Sequence, residues 1–111
     1  MEIDTNQYKH CDLVRAEGRI DSYTAPQLSD AFEAITDAGR YKLVFDMDGV
    51  DFMSSAGLGV LIGVQKTCKR YNRGEIVLAR VPQRIFEALE LAGFVPLFKF
   101  FDNVTDAVGY F

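Results

Sequence analysis

The chain has 111 residues, 49 % of them hydrophobic and 25 % charged, and 16 acidic against 12 basic side chains leave a formal net charge of −4. A chain of this size buries roughly two-thirds of the surface it exposes when unfolded, enough for one core without staples, so a single domain over residues 1–111 is expected. Mild acidity speaks against a nucleic-acid binder, no apolar run approaches the roughly 18 residues of a membrane span, the amino terminus carries no signal-peptide pattern, and Cys11 and Cys68 are too few and too far apart for a disulfide framework or a zinc site; a cytoplasmic protein without cofactor or metal is the expectation.

The elements alternate along the chain. Leu13 to Glu17 reads as a half-buried strand with Val14 and Ala16 on one face, and Ile3 to Tyr8 can pair with it as an edge hairpin. Gly18-Arg19-Ile20-Asp21 leaves the strand, and Ser22 or Thr24 caps a helix with Pro26 in its first turn, where a missing N–H costs nothing. Leu28, Ala31, Phe32 and Ile35 follow at helical spacing until Gly39. Lys42 to Met47 is a continuous apolar run of the kind a central strand buried on both faces requires. The spacing predicts a second helix from Ala56 to about Asn72, with Leu58, Leu61, Ile62, Gln65 and Cys68 or Lys69 along one stripe, stopped by Arg73-Gly74. Ile76 to Ala79 is another buried strand, Pro82 opens a third helix carrying Ile85, Phe86 and Leu89, and Gly93 ends it. Leu97 to Phe101 reads as a last short strand before a terminal helix from Asn103. Strands alternating with helices predict an α/β fold, a mostly parallel sheet of four to five strands with about four covering helices.

Three local patterns bear on chemistry. Asp46-Met47-Asp48 ends a buried strand and resembles the first motif of haloacid-dehalogenase phosphatases, in which the first Asp attacks phosphorus and the second handles the proton, at a strand end that can hold Mg²⁺. The later strand ends, Ala79-Arg80 and Phe101-Asp102-Asn103, supply no second acidic pair, so an Asp/Gly turn explains the motif better. Gly57, Gly59 and Gly63 enter a helix, but GxGxxxG is one residue too long for a dinucleotide fingerprint, and close packing of helix on sheet is the expected reason for them. Ser54 and Ser55 stand where a loop meets that helix. Capping is the ordinary use of such a hydroxyl, and a nucleophilic role lacks a base, because the only histidine, His10, falls in the edge hairpin as a solvated turn residue. Cys68 reads as a small core residue.

The run Phe52-Met53-Ser54-Ser55-Ala56-Gly57-Leu58-Gly59-Val60-Leu61 resembles the signature of STAS domains, the family of bacterial anti-sigma factor antagonists, and Gly18-Arg19-Ile20-Asp21 resembles the turn that precedes the first helix there. The resemblance spans the whole chain. It implies a non-enzymatic regulator that binds an anti-sigma factor, itself a serine kinase, and so releases a sigma factor until the antagonist is phosphorylated. By position the acceptor is Ser55, with Ser54 as second choice; the family usually carries Asp immediately before the acceptor, where this chain departs with Ser54. Asp21, Asp51, Met53, Ser54, Ser55, Gly57 and Leu58 are the implied partner-binding residues. Asp21, Asp48 and Asp51 lie in neighbouring loops suited to guiding a basic partner surface, or serve as ordinary turn polarity. Stand-alone members of the same family also accompany ABC-type lipid transporters, where they bind the ATPase without phosphorylation, which is the alternative role. Neither nucleic acid nor membrane insertion is implied, and a weak homodimer is compatible with the resemblance.

Overall fold

The computed structural model describes residues 1–111. Its elements are β1 (Glu2–Gln7), β2 (Asp12–Ile20), α1 (Ala25–Asp37), β3 (Lys42–Asp46), β4 (Val50–Met53), α2 (Ser55–Lys69), β5 (Glu75–Ala79), α3 (Gln83–Leu91), β6 (Phe100–Phe101) and α4 (Val104–Tyr110). The sheet runs β1-β2-β3-β5-β6, with β4 pairing to β2 off that path; β1 is antiparallel to β2 and every other pair is parallel. The α/β architecture and the hairpin at the edge agree with the sequence pattern.

Burial follows the alternation of side chains along the central strands. Leu43, Phe45, Ile76 and Leu78 point to one face, where α1, α2 and α3 contribute Leu28, Phe32, Leu61, Cys68, Ile85 and Leu89. Val44, Val77 and Ala79 point to the other, where α4 covers them with Ala107. Two covered faces explain why β3 reads as an unbroken apolar run. The Phe32 and Phe45 rings meet edge to face, their centroids 5.3 Å apart, at the α1–sheet interface.

Four boundaries depart from the sequence pattern. The chain does not leave the sheet at Gly18: β2 continues to Ile20, because Gly18 takes φ +102° and shifts the register so that Arg19 and Ile20 pair with Phe52 and Met53. Consequently Val50–Met53, read from sequence as loop, is the strand β4 and brings the sheet to six strands. Helix α2 ends at Lys69 rather than near Asn72, since Tyr71 and Asn72 both adopt left-handed backbone in a short 3₁₀ turn. The last strand keeps only Phe100–Phe101, because Pro96 sits in a 3₁₀ turn over Val95–Leu97.

Candidate functional site

In a mostly parallel sheet the loops that follow the strands gather at one edge, the usual place for recognition in α/β folds. Here the ends of β2, β3, β4 and β5 meet at that edge, and they differ sharply in how their polar groups are used.

At the end of β3, Asp46 is 2 % exposed. Arg15 Nε donates to its Oδ2 at 3.0 Å, Arg80 donates through Nε to Oδ1 at 3.1 Å and through Nη2 to Oδ2 at 2.7 Å, and the Asp48 N–H adds a bond to Oδ1 at 3.2 Å. Burial alone would raise this carboxyl, but the Arg80 hydrogen bonds, the Asp48 N–H and the two guanidinium charges outweigh it and hold it below the ordinary range. Both oxygens are engaged by arginines. The carboxylate is a structural counter-ion and does not present a free oxygen to a phosphate, which settles the Asp46-Met47-Asp48 pattern as strand-end architecture.

At the end of β4 the arrangement is open. The Ser54 N–H donates to the Ile20 carbonyl at 2.8 Å, which ties the loop to the end of β2. Ser54 is extended, its Oγ accepts the Ala56 N–H at 3.2 Å, and its carbonyl accepts the Leu58 N–H at 3.1 Å, so it is the N-cap of α2. Ser55 is the first helical residue and exposed, and its hydroxyl enters none of the side-chain hydrogen bonds. The first turn of α2 carries no acidic residue, so the positive end of the helix dipole is uncompensated there. Of the two serines, one is used by the fold and the other is free.

Gly57 sets the height of this helix. A Cβ at that position would lie 2.7 Å from Ile20 Cγ2 and 2.8 Å from Met53 Cγ, so α2 presses on the ends of β2 and β4 only because the residue has no side chain. Gly57 is therefore buried and faces inward. Gly59 and Gly63 meet nothing within 4 Å, which limits the close-packing explanation to the first of the three glycines. Met53 and Leu58 are half-buried against the core and Asp51 is exposed.

Asp21 closes the site on the β2 side as the organiser of its own turn. Its Oδ1 accepts the N–H groups of Tyr23 at 3.0 Å and Thr24 at 3.2 Å, and its N–H donates to Thr24 Oγ1 at 2.9 Å. The backbone N–H of Thr24 leads the causes that lower its pKa, with the Tyr23 N–H, the Thr24 hydroxyl and Arg19 adding to it. Thr24 occupies the N-cap position of α1 without a side-chain cap bond, its hydroxyl donating instead to the Arg19 carbonyl at 2.7 Å.

Two exposed aromatic features of this edge have no signal in the sequence spacing. Arg19 lies 4.2 Å from the ring centre of Phe52, a pair created by the β2–β4 register. Tyr23, 93 % exposed, stands on the turn that Asp21 locks. His10 and the two cysteines stay outside the site: His10 is an exposed turn residue, and burial pushes the Cys68 thiol up to about 11.

Comparison with known proteins gives these features a family. The model of the STAS domain matches residues 2–107. The anti-sigma-B factor antagonist of Listeria monocytogenes is 36 % identical over 93 residues, covering 84 % of this chain and 80 % of that one. Among solved structures, the anti-sigma factor antagonist SpoIIAA in its unphosphorylated form superposes with a TM-score of 0.82 at 14 % identity, covering 98 % of this chain and 95 % of that one. The Bacillus cell fate determinant SpoIIAA in its phosphorylated form gives 0.77 at the same identity, covering 98 % of both chains. The two SpoIIAA likenesses establish a shared fold.

Proposed function

The chain belongs to the STAS domain family, and from that premise we propose that it is an anti-sigma factor antagonist, a cytoplasmic single-domain regulator that works by binding rather than by turnover. Its partner is an anti-sigma factor with serine-kinase activity. Ser55 is the switch. The observation that carries this assignment is the division of labour between neighbouring hydroxyls: Ser54 caps α2 while Ser55 stands exposed and unbonded one residue later.

The physics of phosphorylation at that point separates fold from interface. A phosphate adds about −1.5 to −2 charge and strong acceptor oxygens. At the start of a 15-residue helix with no acid in its first turn, that charge is favoured by roughly 0.3–1 kcal/mol through the dipole, and further by free N–H groups. The domain keeps its packing, and the existence of the same fold in unphosphorylated and phosphorylated SpoIIAA supports this. A partner closing over the site must instead desolvate an unpaired dianion. A penalty of about 3–4 kcal/mol lowers affinity by two to three orders of magnitude. Asp51 and Asp21, with Met53, Leu58 and the Arg19–Phe52 pair, form the surround that the partner meets.

Phosphorylation at Ser54 would have the opposite character, because it would remove a cap worth about 1 kcal/mol. Incubated with the anti-sigma factor kinase from the same genome and ATP, the protein gains one phosphate, and peptide mapping places it on Ser55. Ser55→Ala abolishes the modification and Ser54→Ala does not. A phosphate found on Ser54 alone overturns the assignment. Co-purification with a transporter ATPase and no kinase overturns the function itself.

A further inference from the structure

The net charge of −4 conceals a segregation of charge along the strand direction. The end of the molecule opposite Ser55 is made by the β1–β2 turn, the start of β3 and the turn after α2. It carries Lys9, Arg40, Lys42, Lys69, Arg70 and Arg73, half of the chain's Lys and Arg. These groups are contiguous: Lys42 and Arg73 line both a hollow of about 210 Å³ shared with Lys9 and Arg40 and one of about 560 Å³ shared with Lys69.

The two ends differ in pairing as well as in number. At the Ser55 end, Arg15, Arg19 and Arg80 all face carboxylates, on Asp46, Asp21 and Asp48. At the opposite end Arg40 is held by Asp12, while Lys9, Lys42, Lys69 and Arg70 have no carboxylate within salt-bridge distance. Arg73 lies over the Tyr41 ring at 3.8 Å and donates to the Thr67 and Arg70 carbonyls. Four of the five tyrosines, Tyr8, Tyr41, Tyr71 and Tyr110, gather at this end. Tyr71 is 85 % exposed and sits at φ 60°. A bulky side chain at that backbone conformation strains the chain; Arg73 lies 5.7 Å from its ring centre, and the rest of the ring is offered to solvent.

We propose that this pole docks the domain on an anionic lipid surface, with Lys9, Lys42, Lys69 and Arg70 against the headgroups and Tyr71 at the interface. Unpaired lysines fit a phosphate-rich surface better than a protein interface, where lysine is depleted. Exposed tyrosines prefer the boundary between water and lipid. Asp12 and Glu75 also lie at this end, but Asp12 is held by Arg40 and Glu75 accepts from the Tyr110 hydroxyl, which leaves the lysines as the unpaired charges there. Acids toward the other end are screened, because the Debye length at physiological salt is about 8 Å. The orientation also turns Ser55 toward solution, where a kinase or a partner reaches it.

The test uses sedimentation with vesicles of phosphatidylcholine containing about 30 % phosphatidylglycerol, an anionic fraction within the range over which such clusters respond. The protein co-sediments with these vesicles at low salt and not with pure phosphatidylcholine, and binding is lost at about 0.5 M salt. Each cation strengthens binding roughly fivefold, so Lys42→Glu/Lys69→Glu/Arg70→Glu weakens it at least a hundredfold. Arg84→Glu, on exposed α3 surface away from the pole, sediments as wild type. Tyr71→Gly relieves the strained backbone, so it melts no lower than wild type yet binds several-fold more weakly. The proposal is overturned by absence of vesicle binding at low salt, by equal sedimentation of the triple variant, or by binding to single-stranded DNA without binding to the vesicles.

Discussion

Strands β3 and β4 both pair with β2, at successive stretches of it, and both end at one edge of the sheet with groups that suit phosphate chemistry, yet they have opposite fates. At β3 a buried carboxylate receives two arginines and a backbone N–H, and nothing on it is left to offer. At β4 one serine meets the need of the helix and its neighbour is left bare. What distinguishes a site from a strut here is the number of hydrogen-bonding positions that remain after the fold has taken its share. Both stand at or just past strand ends on one edge of the sheet, so position alone does not separate them.

The largest expected effect tests the bare position. Ser55→Asp places a charge at the start of α2, where the helix dipole favours it, and beneath a docking partner, where nothing does. We expect affinity for the anti-sigma factor to fall about a hundredfold in titration calorimetry, a loss near 3 kcal/mol, while the melting temperature stays within a few degrees of wild type. Equal affinity would remove the electrostatic basis of the switch.

The next largest tests the strut. Asp46→Asn leaves Arg15 and Arg80 facing a neutral amide. Removing one partner of a buried pair typically costs about 3–5 kcal/mol, reduced here to roughly 2–3 because both guanidinium groups are about half in water. Because folding lowers the pKa of Asp46, its contribution is present above the unfolded value near 3.9 and fades as pH drops through the folded value. Denaturant titrations of wild type and variant therefore differ at pH 7 and converge in acid. A gap that persists unchanged at low pH would mean that the carboxylate charge is not what the arginines hold.

The same contrast marks what the sequence could reveal. Alternation placed β2, unbroken apolar runs placed β3 and β5, and a period of 3.6 placed the helices, since burial leaves a pattern in residue order. The Phe52-to-Leu61 run brought Ser55 to a helix start. The β4 strand had no such mark: four residues, with Asp51 and Phe52 exposed, form a strand only because Gly18 redirects β2 toward them. The Arg19–Phe52 pair was hidden for the same reason. The fate of Asp46 was equally invisible, because Arg15 and Arg80 lie 31 and 34 residues away in sequence and only the parallel register brings them together. Spacing records local periodicity, whereas pairing across strands is fixed by the assembled sheet.

Gly57 is where packing on the β4 side can be perturbed directly. Ala at this position gains helix propensity but drives its methyl to within 2.7 Å of Ile20 Cγ2, a buried β-branched neighbour that cannot swing aside. Overpacking costs about 1–3 kcal/mol against a propensity gain of about 1, so Gly57→Ala should lower stability by about 1 kcal/mol on balance. A melting temperature at or above that of wild type would show that α2 does not rest on the ends of β2 and β4 as tightly as the geometry has it.

Gly59 and Gly63 give the smallest effect and the opposite sign. A Cβ at either meets nothing within 4 Å, both lie inside α2, and neither has a positive φ. Ala should therefore stabilise the domain by about 0.5–1 kcal/mol at each, through backbone entropy alone. Both line the hollow of about 430 Å³ between α1 and α2, so the added methyls occupy solvent rather than core. If Gly59→Ala and Gly63→Ala raise the melting temperature while Gly57→Ala lowers it, three glycines that look alike in sequence separate into one that the fold requires and two that it merely tolerates. The separation then follows from the same accounting of occupied neighbours that distinguishes Asp46 from Ser55.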